Sequence, residues 1–544
     1  MPPTRFTPPD RLPGATYFSR DRELSSAIGM VRLLKSQAWV WSTLRERTTV
    51  DKNWGRRREA GHWVLACVAF VVSGHVDVQP WHDQTTDDLW RECGFDAKPP
   101  YGRVMERFGE LREFADVVLA AVGTLVKHAR RHEPRVGAHI HIDGTEDETH
   151  AALVHDCEGH EPCPQRGKRY GRGYAGTARR PQRELSEVAR EHRQDLAGQE
   201  PAERASDPRL KNPDKVRLVR RDGRVLKRVL IGGCWYVTRD TDAGIRAYMG
   251  PRGARRFWHG YYSQKAVDHF TGAVVFPGVY NASYQEYDVF DDMYDNVRRL
   301  IGNDPETIVG DRGYSVASVF TKLHERGVAP VIPWRASGGD GVRHDHDRFD
   351  RHGVVRCKHC GGPTHFVRHA VSDKDGPRLW VRCMLGVDPG CAKDQTISLR
   401  ISPRYLTSLW RTDPLYHELR ASHDSYEAVH DWWRDRYRVA GTGNANRPKA
   451  IGIGGHRLRA NVACLIEWLR ICHREGWLGS ARRNPHDPER KGRDKAIAAA
   501  GKFADMRARM SLGAPYGEAA ERLKLGDRLP PSRRPRGAPV AAAT

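Results

Sequence analysis

Residues 307–314 read TIVGDRGY, an apolar segment that stops at a carboxylate. Thr307 to Gly310 predict a short buried strand, and the Arg-Gly-Tyr after Asp311 predicts a tight turn. A helix from about Val316 to Arg326 and a strand from Val328 to Ile332 are predicted next. This alternation of strand and helix indicates an α/β fold. Sites in such folds form where strands end, so Asp311 is a candidate site residue.

A second carboxylate closes another predicted strand, upstream in the sequence. This strand runs from Val136 to Asp143 and ends in the residues HIHID. Because side chains alternate along a strand with a period of two, His139, His141 and Asp143 share one face. Further strands are predicted in two stretches, Val216 to Val237 and Phe257 to Tyr280.

A third carboxylate, Glu427, falls on a helix predicted from Leu415 to about Arg438. Helical spacing places three cationic or titratable residues on its face, namely Arg420, His423 and Arg434. Three separated carboxylates suggest a site for two Mg²⁺ ions, which can activate a water or a 3′-hydroxyl and stabilise the leaving oxygen of a phosphodiester. Taken singly, each carboxylate has a plainer interpretation as a turn cap or a solvated side chain.

Taken together, these segments resemble bacterial insertion-sequence DDE transposases, whose catalytic domain is RNase H-like. The similarity runs from about Val136 to Arg470. Four stretches carry it, namely Asp240 to Ala243, Phe257 to Tyr261, Ala266 to Val275 and Ile308 to Tyr314. The resemblance implies that Asp143, Asp311 and Glu427 are the catalytic carboxylates and bind Mg²⁺ or Mn²⁺.

The helix of Glu427 departs from the family pattern at two positions. Where the family usually shows Tyr-x₂-Arg-x₃-Glu-x₆-Lys, this chain has Arg420, His423, Glu427 and Arg434. The last replacement keeps a cation. By resemblance, Arg420, His423 and Arg434 contact DNA beside the metal ions, and Glu418 is the alternative third carboxylate.

The chain before the sheet is predicted to be helical, from residue 24 to residue 132. A short helix that ends at Gly94 and a second helix that starts near Pro100 form a helix-turn-helix-like pair. Arg103 and Arg107 would face a DNA groove from the second helix. Any small helical bundle gives the same pattern, and the two arginines would then be solvated.

The composition indicates a large protein with a polyanionic partner. The chain has 544 residues, enough for two or three domains, and its formal net charge is +22. A polyanion is the expected partner of such a cationic excess, and the resemblance implies that this polyanion is double-stranded DNA. No apolar run approaches the ~20 residues of a membrane span, and neither a secretory signal nor a Walker A motif is present. We therefore expect a cytoplasmic, nucleoid-associated protein without a nucleotide cofactor.

Four cysteines are spaced like the ligands of a structural zinc ion. Cys357-x₂-Cys360 and Cys383-x₇-Cys391 frame a predicted strand pair, as in a zinc ribbon. A histidine could replace one of them, and the candidates are His359, His365 and His369. A second, weaker ligand group consists of His155, Cys157, His160 and Cys163. Ordinary reduced thiols remain the plainer interpretation of both groups.

The predicted fold is an RNase H-like mixed α/β sheet core with insertions, preceded by an all-α, helix-turn-helix-like domain. The predicted parts are a DNA-binding domain at 1–134, a catalytic domain at 135–475 with insertions at 144–256 and 336–400, and a basic, largely disordered tail at 476–544. The predicted function is a DNA transposase that cuts element ends at terminal inverted repeats and joins their 3′-hydroxyls to target DNA, acting as a homodimer. The alternatives are a catalytically inactive DNA-binding regulator and an RNase H-like nuclease.

Overall fold

The computed structural model of the protein places an α-helical segment before a set of β-sheets. It describes residues 26–48, 59–149, 151, 153–156, 169–170, 216–221, 224–231, 234–249, 255–333, 348, 354–372, 376–398, 404, 409, 411, 414–439 and 452–478. Most of the predicted tail lies outside these residues, as do Cys157, His160 and Cys163 of the weaker ligand group. No helix in the described part of the chain is long and apolar enough to cross a membrane.

The N-terminal segment is helical, as predicted. Its helices are α1 (Ala27–Ser36), α2 (Ala38–Thr48), α3 (Glu59–Val72), α4 (Val78–Gln84), α5 (Asp87–Cys93), α6 (Tyr101–Glu110) and α7 (Ala115–His132). Every residue from Trp63 to Val72 is buried, so the apolar α3 lies at the centre of this segment. Gly94 ends α5 with a φ of 98°, a left-handed conformation that favours glycine, which confirms the predicted helix end.

The strands of the described residues follow this helical segment. They are β1 (His139–Glu148), β2 (Leu153–His155), β3 (Arg169–Tyr170), β4 (Val216–Arg221), β5 (Arg224–Ile231), β6 (Cys234–Thr238), β7 (Gly244–Met249), β8 (Arg255–Asp268), β9 (Val274–Asn281), β10 (Thr307–Gly310), β11 (Ala329–Val331), β12 (Thr364–Ser372), β13 (Gly376–Cys383) and β14 (Gln395–Ser398). The strand predicted at residues 307–310 is confirmed with the same bounds.

Six strands form a mixed central sheet in the order β11-β10-β1-β8-β7, with β9 also paired to β8. β10 is parallel to both β1 and β11, whereas β8 is antiparallel to β1, β7 and β9. β1 was predicted to end at Asp143, but it runs on to Glu148 because the residues after Asp143 continue to pair with β8 as far as Gly260. Asp143 therefore lies within its strand, whereas Asp311 follows the end of β10.

Four more helices complete the described fold. They are α8 (Phe290–Ile301), α9 (Ala317–Glu325), α10 (Pro414–Tyr437) and α11 (Ile453–Arg474). α7 packs against α8 and α11, and one hydrophobic core extends from Met30 in α1 to Trp477 beyond α11. The predicted boundary near residue 134 is thus a change in secondary structure within a shared core.

Both predicted insertions contain a small sheet. Between β1 and β8, strands pair in the order β3-β2-β6-β5-β4, and the later insertion contains the sheet β12-β13-β14.

The stretch around Asp240 and Asp242 joins the first insertion to the core. The N–H groups of Gly452 and Ile453 donate to Asp240 and Asp242 at 3.2 and 3.1 Å, so these carboxylates lie at the N-terminus of α11. Thr149 also donates its hydroxyl to Asp240. The two aspartates therefore stabilise the fold here, through contacts that hold β1, the insertion and α11 together.

Candidate active site

Asp143 and Asp311 lie next to each other across two parallel strands. Ile142 on β1 pairs with Gly310 on β10, so the residues that follow them stand at the same level of the sheet. The N–H of Gly144 donates a hydrogen bond to Oδ1 of Asp143 at 2.8 Å. The structure thus brings together two carboxylates that are far apart in the sequence.

The pKa values of these two carboxyl groups are shifted in opposite directions. Burial, with the charges of Glu286 and Asp143, raises the pKa of Asp311 to about 6 in spite of a hydrogen bond from Gly313. Burial also acts to raise the pKa of Asp143, but the hydrogen bond and charge of His430 outweigh it and hold that pKa below its ordinary value. Repulsion between neighbouring buried carboxylates is relieved by a bound cation, and carboxylate oxygens are the ligands that Mg²⁺ prefers.

A further carboxylate, that of Glu286, stands beside this pair. A Cβ atom built on Gly313 would lie 2.9 Å from an oxygen of Asp311 and 2.9 Å from an oxygen of Glu286, so both carboxylates flank this glycine. The Tyr262 hydroxyl donates to Glu286 at 3.0 Å, and Arg246 forms an ion pair with it. No sequence pattern points to Glu286, which lies in a short 3-10 turn between β9 and α8.

α10 carries Glu427, whose side chain is not among those that the structure describes. Two other residues of this helix, His423 and His430, are buried and contact side chains of β1. Because a helix turns once every ~3.6 residues, position 427 lies on the same face, about one turn from each histidine. The alternative, Glu418, is exposed. These positions favour Glu427, and its role stays a prediction.

The predicted cations of α10 have different surroundings. Arg420 is partly buried, and its charge acts to lower the pKa of Asp311. His423 is buried, with its Nδ1 atom 3.4 Å from Nδ1 of His141. Arg434 forms an ion pair with Asp431 on the same helix, at 2.6 Å. Contact of these three residues with DNA stays a prediction.

The two arginines of α6 that are predicted to face DNA differ in their exposure to solvent. Arg103 is exposed. Arg107 forms an ion pair with Glu110 at 2.7 Å, and its side chain is only 14% exposed. Both helices of the predicted pair, α5 and α6, are present. Their docking on DNA stays a prediction.

Buried imidazoles lie behind the carboxylates. His141 Nε2 lies 2.9 Å from His269 Nδ1, and the Tyr426 hydroxyl donates to the carbonyl of His269 at 3.0 Å. Burial, with the neighbouring imidazoles, holds the pKa of His141 well below its ordinary value, and burial lowers that of His139 to about 3. These rings are therefore neutral at neutral pH. His141 and Asp143 both contact α10, so their predicted position on one face of β1 is confirmed.

Four cysteine sulfurs converge beside the sheet β12-β13-β14. The Sγ atoms of Cys357, Cys360, Cys383 and Cys391 all lie within 4.8 Å of one another. The Cys357–Cys391 and Cys360–Cys383 pairs are 3.7 and 3.4 Å apart. Tetrahedral zinc with Zn–S bonds of about 2.3 Å holds its sulfurs about 3.8 Å apart. The predicted four-cysteine set could therefore hold a metal ion without a large rearrangement.

Hydrogen bonds prepare one of these sulfurs for the thiolate form. The side-chain amide of Gln395 donates to Cys357 Sγ at 3.0 Å, and the His359 N–H donates to it at 3.4 Å. Burial acts to raise the pKa of Cys357, but these bonds and one from the Cys360 N–H lower it to about 6. A thiolate is the form that binds metal.

The hairpin of β4 and β5 presents arginines to solvent. Arg220 and Arg224 on the hairpin and Arg239 beside it are exposed, and none has an ion-pair partner among the described residues. Arg220 and Arg239 line an open groove of about 440 Å³, with Leu218 and Val225 among its apolar residues. This surface suits a polyanion.

Comparison with known protein families adds to this geometry. Residues 235–439 match the family model of the transposase DDE domain. No match was found among curated proteins or among solved structures. The matched segment contains Asp311 and Glu427 and begins after Asp143, which the fold brings to the same site. Residues 235–439 are therefore similar to a transposase DDE domain, and the resemblance of this chain to insertion-sequence DDE transposases is confirmed.

Proposed function

We propose that the protein is a DNA transposase that cuts the ends of its element and joins their 3′-hydroxyls to target DNA. The observation that carries this proposal is a pair of carboxylates at the central sheet: Asp143 lies on β1, and Asp311 directly follows the parallel strand β10, which belongs to the segment that matches the DDE family model. Three antiparallel strands, β1, β8 and β9, followed by the parallel β10 and β11, support an RNase H-like core.

The acidic pair would hold divalent metal ions together with Glu427. When bound, Mg²⁺ or Mn²⁺ would activate the attacking hydroxyl and stabilise the leaving oxygen. The chain's own residues position these ligands: Gly144 holds one oxygen of Asp143, and Gly313 holds Oδ1 of Asp311 at 2.7 Å. Arg420, near Asp311, would bind phosphate oxygens of the DNA.

Substitution of the paired aspartates tests the proposal. We expect Asp143→Asn and Asp311→Asn to abolish metal-dependent cleavage and strand transfer on DNA that flanks the gene, with DNA affinity close to that of the unchanged protein. Asp291→Asn, at an exposed carboxylate on α8, is the matched control and should remain active. Equal loss of binding and cleavage in the two site variants would instead assign these aspartates a structural role.

Two alternative functions give different results in the same assay. A catalytically inactive regulator would bind the flanking DNA and leave it intact at every metal concentration. A nuclease would cut the DNA without joining ends. The assay should also show two DNA ends held by one homodimer, because both ends of an element must be brought together for joining.

The third carboxylate is tested by a pair of variants on α10. We expect Glu427→Gln to remove metal-dependent strand transfer, because position 427 lies on the helix face that contacts β1. Glu418→Gln, at an exposed position, should retain activity. The reverse result would move the third ligand to Glu418.

A further inference from the structure

A buried lysine and histidine lie directly behind Asp143. Lys265 on β8 is the antiparallel partner of Asp143 on β1. Its Nζ lies 2.6 Å from Nδ1 of His430, and Nε2 of His430 lies 3.3 Å from Asp143 Oδ2. Lys265 is completely buried and His430 is 6% exposed. The three side chains thus form a continuous set of polar contacts from the protein interior to the candidate active site.

The chemistry of the lysine fixes the direction of these hydrogen bonds. A protonated Lys265, an ammonium group, has three donors and no acceptor, so at the 2.6 Å separation Nδ1 of a neutral His430 accepts from it. The ring hydrogen of a neutral His430 then resides on Nε2 and points at Asp143. In the other tautomer two hydrogens would meet at Nδ1, and a lone pair of Nε2 would face the carboxylate.

The surroundings keep both side chains in place. Burial lowers the pKa of Lys265 to about 7, while the charges of Asp147 and Asp143 oppose that shift and the charge of Arg434 adds to it. Lys265 Nζ also lies 5.6 Å from the ring centroid of Trp433. An ammonium this deeply buried requires a partner of defined geometry, and His430 provides it.

We propose that Lys265 and His430 are positioning residues that orient Asp143 for metal binding, Lys265 by fixing the tautomer of His430 and His430 by holding Oδ2. The N–H of Gly144 donates to Oδ1, so each carboxylate oxygen has one hydrogen-bond partner within the protein and keeps a lone pair for a cation. This inference rests on the proposed role of Asp143 as a metal ligand.

The tautomer is measured on the unchanged protein, without metal or DNA. With ¹⁵N-labelled histidine at pH 6, the His430 signals should show hydrogen on Nε2 and an unprotonated Nδ1. The loss of these signals in His430→Gln assigns them. In Lys265→Met, the fixed Nε2–H tautomer should give way to a mixture. Hydrogen on Nδ1 in the unchanged protein would overturn the proposal.

Binding of Mn²⁺, followed by calorimetry in the absence of DNA, tests the consequence for Asp143. His430→Leu should weaken binding by about 10- to 100-fold, the usual loss when the partner of a metal ligand is removed. His430→Gln should restore most of it, because its amide N–H can reach Oδ2. Lys265→Met combined with His430→Leu should be no weaker than His430→Leu alone, since both act through one hydrogen bond.

Two outcomes separate this inference from the proposed function. If Asp143→Asn leaves Mn²⁺ binding unchanged, Asp143 is not a ligand and the proposed function fails. If Asp143→Asn abolishes binding while His430→Leu, with an unchanged melting temperature, binds Mn²⁺ normally, the positioning role is wrong. Failure of His430→Gln to restore binding in a folded protein would also overturn it.

Discussion

Glu467 on α11 is a buried carboxyl group outside the candidate site. Its Oε2 accepts the N–H of Val274 at 3.1 Å. Burial raises its pKa from 4.5 to about 8, against the opposing effects of the Val274 hydrogen bond and of Arg470 and Lys265. At neutral pH the folded protein therefore keeps a proton that the unfolded chain releases.

This shift predicts a pH dependence of stability. Between pH 4.5 and about 8 the folded state binds more protons at Glu467 than the unfolded state, so the free energy of unfolding should fall as pH rises. Glu467→Gln should flatten this slope and be more stable than the unchanged protein at pH 9, with each unit of pKa shift worth about 1.4 kcal/mol. Urea unfolding at a series of pH values measures it.

Glu325→Gln, at an exposed position on α9, is the control and should follow the unchanged protein throughout. Identical slopes for Glu467→Gln and the unchanged protein would show that the buried carboxyl does not titrate differently on folding.

At the residue scale, the sequence predicts Asp143 and Asp311 as site residues. It does not predict the two residues behind Asp143, Lys265 and His430. Asp143 and Asp311 each directly follow apolar strand residues, and sites in α/β folds form where strands end, although only Asp311 lies at a strand end. Lys265 lies on an alternating strand, where nothing in the sequence says that its charged end is buried. His430 follows His423 by seven residues, two turns of one helix face, which is the one local signal of a contact with β1.

At the element scale, regular helices and strands follow their sequence patterns closely. α10 begins and ends within one residue of its predicted bounds, because a long amphipathic stretch specifies it locally. The end of β1 depends on pairing with β8, which lies far along the chain, so local pattern did not predict it. The strand order of the insertions is non-local for the same reason.

The cysteine cluster predicts a bound zinc ion beside the sheet β12-β13-β14. We expect about one tightly bound zinc ion per chain, because four sulfurs already lie at nearly tetrahedral spacing. Cys357→Ser combined with Cys360→Ser should remove the metal and lower the melting temperature of the protein, since metal binding stabilises such small sheets. Elemental analysis of purified protein measures the stoichiometry.

Cys93→Ser, a buried cysteine of α5 outside the cluster, is the matched control and should retain zinc. Protein with four intact thiols and no zinc would remove the metal assignment. Two zinc ions per chain would point to the group that includes His155.

At the scale of the whole molecule, the net charge of +22 predicts binding to DNA that weakens steeply as salt rises. Each phosphate contact contributes about 0.9 to the log–log slope. Replacing Arg220, Arg224 and Arg239 together by alanine should lower that slope by about 1 for each arginine that contacts a phosphate. Binding titrations at several salt concentrations measure the slope.

Arg298→Ala is the control, because this arginine of α8 is already paired with Asp304 at 3.1 Å. An unchanged slope in the triple variant would place DNA away from the β4–β5 hairpin. A flat salt response of the unchanged protein would contradict a polyanionic partner altogether.

The hydrogen bond between Thr149 and Asp240 has a consequence for how such a chain can change over generations. The polypeptide leaves the central sheet at Thr149 and returns to it after Asp240. The segment that contains β2 to β6 therefore begins and ends at two residues that are hydrogen-bonded to each other. The entropy of closing a loop grows only with the logarithm of its length. A longer, shorter or unrelated cassette spliced between these two residues would therefore leave Asp143 in register while giving the protein a different outer surface.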